Sequence, residues 1–332
     1  MMAGLQILKK STTTKDNATI SYFEYTSILS TSNSSPKKPG LIILHGGLES
    51  SHSHSELASI LCSSLTIYLP DRRGRGASSA PGADFSMQTE INDLEALILA
   101  TGARYVLGVS SGAMITLYSA LALFSANGGG EGLVRKIVVF EPPLLVDDFA
   151  AFERGTESLE REIEEGKIAE AFITALTITQ MGNWFITWTP RWALVPLVRL
   201  GLRWEEKRNS AGEGAGKNVE AGGDSREYTV GRLVPTLRFD FRLVKEIQGT
   251  LERLKILNEM NIDVLIMSGS RSPEFLRRSV EELERLVPKA SHVRLQGLDH
   301  LALGNRDVGG KPEQVAAKVT EFLNLILSRR AS

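Results

Sequence analysis

Short apolar runs alternate with longer segments in which apolar residues recur every three or four positions. The longer segments have the periodicity of amphipathic helices, as in Met87, Ile91, Leu94 and Ile98, and again in Val315, Val319, Phe322 and Ile326. The short runs have the length of buried strands: Leu41–Leu44, Leu65–Leu69, Tyr105–Val109, Lys136–Phe140, Val264–Met267 and Val293–Leu295. Strands that are apolar throughout and joined by helices form a parallel sheet covered on both faces. The pattern predicts an α/β fold with a mostly parallel central sheet and helices on both faces.

The first part of the chain has a different pattern. Two strand-like stretches, Leu5–Thr13 and Ala18–Thr26, flank the polar turn at Lys15, Asp16 and Asn17, and this arrangement is typical of a hairpin.

The alternation stops between about Leu144 and Gly249. That stretch has a helical pattern and contains a Gly/Ser/Glu-rich piece at about 208–225. We therefore predict a core formed by residues 1–143 and 250–332, with residues 144–249 as a helical lid insertion. All four tryptophans lie in the insertion, and Trp184, Trp188 and Trp192 are candidates either for packing between lid and core or for an apolar substrate pocket.

Composition excludes several classes of protein. The net charge of −1 provides no long-range field for nucleic acid or an anionic membrane. The single cysteine, Cys62, rules out an internal disulfide and fits a reducing compartment. There is no phosphate-binding glycine motif, no metal-ligand spacing and no apolar run of about 18 residues. We expect a cytoplasmic protein with no metal, no cofactor and no integral membrane association; the oligomeric state stays open.

A serine flanked by small residues is the strongest chemical signal. Gly108-Val109-Ser110-Ser111-Gly112 follows an apolar strand and precedes a helical run, which is the form of a nucleophile elbow. Centring the motif on Ser110 places glycine two residues before and after the nucleophile. Centring it on Ser111 would place the β-branched Val109 in the tight turn, so Ser110 is the preferred nucleophile.

Four motifs occur in a characteristic order: "LIILHGG" (41–47), "YLPDRRGRGAS" (68–78), "LGVSSGA" (107–113) and "LQGLDHLA" (295–302). Together they resemble the α/β-hydrolase superfamily, of the serine-hydrolase type with an inserted helical lid. The resemblance implies that His300 is the general base and that the backbone N–H groups of Gly47 and Ser111 form the oxyanion hole. It also implies that His45 shapes the oxyanion loop without transferring protons.

The triad acid departs from the family pattern. The loop in which the family usually carries an aspartate reads "MSGSRSPEF", with Arg271 and no Asp. Glu141, directly after the strand that ends at Phe140, is the first candidate acid, and its other interpretation is a residue that fastens the root of the lid. Asp240, in the segment that leaves the lid, is the alternative acid or a helix N-cap.

The expected function is a serine hydrolase, carboxylesterase-like or thioesterase-like. It would cleave an ester, thioester or similar activated carbonyl of an apolar small molecule. One alternative is a non-hydrolytic enzyme of the same fold that performs cyclisation or carbon–carbon chemistry. The other is a catalytically weak member that binds a ligand.

Overall fold

Eight strands form one sheet in the computed structural model, which describes residues 4–28, 38–126, 132–146, 148–181, 188–210 and 228–324 of the chain. The strands are β1 (Leu5–Thr13), β2 (Thr19–Ser27), β3 (Gly40–Leu44), β4 (Thr66–Pro70), β5 (Tyr105–Val109), β6 (Lys136–Phe140), β7 (Asp263–Gly269) and β8 (Ser291–Leu295). Their order across the sheet is β1-β2-β4-β3-β5-β6-β7-β8. Strands β3 to β8 pair in parallel, whereas β1 with β2 and β2 with β4 pair antiparallel.

Ten α-helices lie within the described ranges. They are α1 (Ser55–Leu61), α2 (Met87–Thr101), α3 (Ser111–Ala126), α4 (Phe149–Glu164), α5 (Ile168–Ile178), α6 (Arg191–Ser210), α7 (Val230–Leu233), α8 (Leu237–Ile247), α9 (Glu274–Leu286) and α10 (Pro312–Phe322). Short 3₁₀ helices occupy Val234–Thr236, Leu251–Asn258 and Arg306–Val308. Helices α4 to α8 all lie between β6 and β7, where the sequence predicts an insertion.

Both faces of the sheet are buried. Successive residues of β3 alternate between the two sides: Ile42 and Leu44 join one hydrophobic cluster, and Leu41 and Ile43 join the other. The first cluster includes apolar residues of α2, α3, α8 and α9, and the second includes residues of α1 and α10. An uninterrupted apolar strand is therefore required here, which explains why the short runs are so clear in the sequence.

The predicted fold class is confirmed, and every predicted strand lies within two residues of an observed one. The hairpin at Asp16 and Asn17 is also present, with Asn17 at a φ of 62°. Trp184, Ile326 and most of the Gly/Ser/Glu-rich segment lie outside the described residues. The domain boundaries at 143 and 250 stay predictions. In the part of the chain that the structure describes, no helix has both the length and the apolar character needed to cross a membrane.

Candidate active site

The site forms where the strand order of the sheet reverses. Strand β3 lies between β4 and β5, so the connections that leave β3 and β5 run to opposite sides of the sheet. In open parallel sheets a crevice forms at this point, beyond the carboxyl ends of the strands. Ser110 directly follows β5, and the loop from His45 to Glu49 directly follows β3.

Ser110 is the turn residue between β5 and α3. Its φ of 53° is in the left-handed region, which few residues other than glycine adopt, whereas Ser111 is the first residue of α3. A Cβ on Gly112 would lie 2.2 Å from the carbonyl oxygen of Leu44, and a Cβ on Gly108 would lie 2.4 Å from the carbonyl oxygen of Gly112. The turn thus requires glycine two residues before and two residues after Ser110.

Glu141 and His300 form a hydrogen-bonded pair. Glu141 is fully buried, and its Oε2 accepts from Nδ1 of His300 at 2.7 Å. Its Oε1 accepts from the backbone N–H of Gly269 at 2.6 Å. The φ of Glu141 is 47°, so the first residue after β6 adopts a strained backbone conformation, as Ser110 does after β5. The ring of Phe140 is stacked on the His300 ring at a centroid distance of 6.0 Å, which restrains the imidazole further.

The family usually carries its acid in the loop after β7. Here the last residue of β7 donates a hydrogen bond to Glu141 instead. Gly269 is the last residue of β7, and its N–H holds the carboxylate that contacts His300. The backbone N–H of Arg271 donates to the carbonyl oxygen of Leu298, which joins this loop to the segment that carries His300. The loop therefore contributes backbone groups where an aspartate side chain was to be expected.

Among the described residues, the hydroxyl of Ser110 has no hydrogen bond to His300. The two residues are nevertheless connected through β6. The backbone N–H of Ser110 donates to the carbonyl oxygen of Phe140, which precedes Glu141 and stacks on His300. Hydrogen bonds between nucleophile and base are often long in free enzymes and tighten in the substrate complex.

His45 controls the direction of the Gly47 N–H. Nδ1 of His45 donates to the carbonyl oxygen of Gly46 at 2.9 Å, and Nε2 accepts from the backbone N–H of Arg72 at 3.2 Å. Because a peptide unit is planar and trans, fixing the carbonyl of Gly46 also fixes the N–H of Gly47 on the opposite side. Burial and the nearby guanidinium groups of Arg75 and Arg72 hold the pKa of His45 well below its usual value, so the ring stays neutral.

Asp240 belongs to a buried ionic network. Its two carboxylate oxygens accept from Arg72 and Arg75, each at 2.7 Å, and Oδ1 also accepts from Oγ of Ser111 at 2.7 Å. Arg72 bonds in turn to Glu90 of α2 at 2.7 Å. Burial opposes ionisation of Asp240, but the two arginines outweigh it and lower the pKa of the carboxyl. Asp240 therefore ties α8 to the loop after β4 and to the start of α3, and in this structure it does not contact His300.

Asp240 also lies over the oxyanion loop. A Cβ on Gly47 would lie 3.0 Å from Cδ2 of Leu237 and 3.5 Å from Oδ2 of Asp240. The N-cap position predicted as the other role of Asp240 is occupied by Thr236, and Asp240 lies in the first turn of α8.

Two of the candidate pocket tryptophans lie on the outer surface of the inserted helices. Trp188 is 81% exposed and Trp192 is 79% exposed. Such exposure supports neither of the roles expected for them, packing between lid and core or lining a substrate pocket. Trp184 lies outside the described residues.

Sequence reasoning missed Glu49 and His54, which both lie beside the oxyanion loop. The histidines of "SSHSHSE" are expected from the sequence to be exposed or near a helix cap; His54 is the N-cap residue of α1, but it is 1% exposed. Its only sequence signal is the position directly before a helix that follows the HGG motif.

Substitution of Gly46 is expected to disturb the position of Ser110. A Cβ at this position would lie 2.9 Å from Cβ of Ser110 and 3.1 Å from the carbonyl oxygen of Val109. Because Gly46→Ala would displace Ser110, we expect the kcat of a reaction at this serine to fall about 10²-fold, the effect of misplacing a reacting group by about 1 Å. Gly82→Ala is the matched control, since a Cβ there meets no atom within 4 Å. Equal kcat values for the two variants would contradict the geometry.

A mostly parallel sheet, a strained serine after β5 and a histidine after β8 define the architecture of an α/β hydrolase. The model of the alpha/beta hydrolase family matches residues 41–318. The chain therefore belongs to the alpha/beta hydrolase family. No curated protein matches it significantly.

Solved structures of low sequence identity share this fold. An alpha/beta hydrolase from Sphaerobacter thermophilus is 22% identical, with a TM-score of 0.63 over 95% of this chain and 100% of the other. An esterase from Rhodococcus sp. ECU1013 is 18% identical, with a TM-score of 0.56 over 95% of this chain and 98% of the other. A thioesterase domain from the curacin biosynthetic pathway is 14% identical, with a TM-score of 0.57 over 95% of this chain and 99% of the other.

Proposed function

We propose that the chain is a serine hydrolase that cleaves an ester, a thioester or a similar activated carbonyl of an apolar small molecule. The observation that carries the proposal is the hydrogen bond from Nδ1 of His300 to the buried carboxylate of Glu141. This bond leaves Nε2 of a neutral His300 unprotonated, so that it can accept the proton of Ser110.

The reaction proceeds in two halves. Oγ of Ser110 attacks the substrate carbonyl while His300 removes the hydroxyl proton, and His300 then gives that proton to the leaving group. The carboxylate of Glu141 stabilises the imidazolium that forms between these transfers. Water, activated by His300, attacks the acyl-enzyme and releases the acid, which regenerates Ser110.

Negative charge on the substrate oxygen is accepted by the backbone N–H groups of Gly47 and Ser111. Each such donor typically contributes several kcal/mol to the transition state when its direction is fixed beforehand. The hydrogen bond from His45 to Gly46 supports this role for Gly47, and the position of Ser111 in the first turn of α3 supports it for Ser111.

The inserted helices are proposed to act as the lid and to form the apolar side of the substrate site. Leu48 of the oxyanion loop packs against an apolar cluster of α4, α5 and α8 that includes Leu159, Leu237 and Phe241. A substrate that extends from Ser110 towards these helices would meet apolar side chains. The reducing compartment implied by the single cysteine supports a cytoplasmic location.

Labelling with a fluorophosphonate probe tests the proposal. We expect the probe to modify the wild-type protein at one peptide, with the adduct on Ser110. Ser111→Ala is the matched control, because it removes the neighbouring hydroxyl and keeps the nucleophile. An unlabelled wild-type protein, or a Ser110→Ala variant that is labelled as strongly as wild type, would overturn the assignment.

A further inference from the structure

A second carboxylate, that of Glu49, lies beside the nucleophile. Its Oε2 accepts from the backbone N–H of Gly46 at 2.6 Å. A Cβ on Gly46 would be 3.1 Å from that oxygen and 2.9 Å from Cβ of Ser110, so both side chains border the space that the glycine leaves open. The hydrogen bond from Gly46 favours the ionised form of the carboxylate.

His54 faces acceptors on both ring nitrogens. Nδ1 lies 2.9 Å from the carbonyl oxygen of Leu303, which can only accept a hydrogen bond, so Nδ1 carries a proton. Nε2 lies 3.3 Å from Oε2 of Glu49, the oxygen that the Gly46 N–H already engages. An unprotonated Nε2 would place its lone pair opposite a lone pair of Oε2 of Glu49 in a buried site. A protonated Nε2 instead forms an ion pair with that oxygen. With Glu49 ionised, the geometry favours an imidazolium at His54 that pairs with the carboxylate.

The other charged groups around the pair fit this assignment. Burial disfavours charge on both residues, yet each raises the charged fraction of the other: the pKa of His54 is raised and that of Glu49 is lowered. His300 also faces Glu49, and its positive form favours the carboxylate. Two further titratable residues lie close to the pair in the chain. His45, which follows β3, is neutral, and the carboxylate of Glu56 in α1 is paired with Arg306.

We propose that the positive charge of His54 balances Glu49, so that the oxyanion loop accepts negative charge only while His54 is protonated. His54 is thus a positioning residue that acts through Glu49, and this inference rests on the proposed function. Loss of the His54 proton leaves an uncompensated carboxylate beside the oxygen on which negative charge develops. Repulsion between the Glu49 carboxylate and the negative charge that develops on the substrate oxygen, over several ångströms in a partly screened site, corresponds to a rate loss of about 10- to 100-fold.

The pH dependence of kcat with a p-nitrophenyl ester separates this role from a purely structural one. Wild type is expected to lose kcat as the pH rises through the raised pKa of His54, above the ordinary histidine value of 6.5. Glu49→Gln removes the charge, and its amide oxygen can still accept from the backbone N–H of Gly46. In that variant the alkaline loss is expected to disappear. An alkaline loss that persists in Glu49→Gln would overturn the proposal.

Substitution of His54 provides the converse test. His54→Gln is expected to lower kcat about 10- to 100-fold at all pH values, with a smaller effect on KM, and adding Glu49→Gln is expected to restore most of the loss. His292→Gln, which alters a histidine paired with Glu284 at 3.2 Å, is the matched control and should keep the wild-type profile. Failure of the second substitution to rescue kcat would contradict charge balance.

Nuclear magnetic resonance of the histidine side chains tests the protonation state without relying on activity. In Ser110→Ala, with His54→Gln used to assign the signal, His54 is expected to be predominantly doubly protonated at pH 6.5, because its pKa is raised above that ordinary value. A neutral His54 there would overturn this inference alone, whereas an absence of fluorophosphonate labelling would overturn the proposed function alone. Thermal stability should depend on the same protonation: while Glu49 is ionised, the contribution of the His54 charge is present below pH 6.5 and is lost as the pH rises through the raised pKa of His54.

Discussion

Replacement of Glu141 by glutamine is expected to lower kcat/KM by about 10⁴-fold, the size of the loss when the orienting carboxylate of a serine-protease triad becomes an amide. The amide oxygen can still accept from Gly269. Its NH₂ group would then face Nδ1 of His300, which forces the proton onto the other ring nitrogen and leaves no base for Ser110. Hydrolysis of a p-nitrophenyl ester measures the effect, and circular dichroism checks that the fold is retained.

Asp240→Asn is the informative comparison, because Asp240 is the other buried acid that the sequence offers. If Glu141 is the triad acid, this variant changes kcat/KM much less than Glu141→Gln does. A larger loss with Asp240→Asn than with Glu141→Gln would exclude Glu141 as the acid and point to a conformation in which Asp240 reaches His300.

The same Asp240→Asn variant is expected to lose about 3 to 5 kcal/mol in the free energy of unfolding. Removing one partner of a buried ion pair leaves the other charge uncompensated, and here both Arg72 and Arg75 lose their shared carboxylate. Denaturation in urea measures the change. Glu252→Gln, which breaks exposed pairs with Lys255 and Arg285, serves as the matched control and should leave stability nearly unchanged.

The pH dependence of stability provides a second check on the network. The pKa of Asp240 is lowered in the folded state, so its contribution is present above the ordinary value of 3.8 and is lost as the pH falls through the lowered one. The difference between wild type and Asp240→Asn should therefore shrink in strong acid. A difference that stays constant down to that range would mean that the carboxylate charge does not stabilise the fold.

The sheet and the elbow could be predicted because each depends on local sequence. A strand buried on both faces must be apolar at every position, so Leu41–Leu44 and Lys136–Phe140 are recognisable without any knowledge of their neighbours. The elbow requires glycine at 108 and 112 because two backbone segments approach closely there. Both glycines are part of the sequence motif, so the motif alone predicts the elbow.

The sequence ranks Glu141 before Asp240 as the candidate triad acid, but the contacts that distinguish the two residues join positions far apart in the chain and cannot be read from it. The N–H of Gly269 and the ring of His300 converge on Glu141 from positions more than a hundred residues away in the chain. Similarly, nothing local to "SSHSHSE" indicates that His54 is buried against Leu303 and Glu49. These features arise only when the carboxyl ends of β3, β6 and β8 meet.

Ser110 and Glu141 are held in register because β5 and β6 are adjacent in the sheet. Val109 and Phe140 are partners in the ladder that joins these strands, and Ser110 and Glu141 are the next residues along. Ser110 and Glu141 are thus each attached directly to a hydrogen-bonded central strand, whereas His300 lies in a turn at the surface. Heating or cosolvent should accordingly reduce turnover by disordering that turn before the sheet unfolds. The stretch from Gly297 to Gly304 is therefore the first place to introduce rigidifying substitutions in a more stable catalyst.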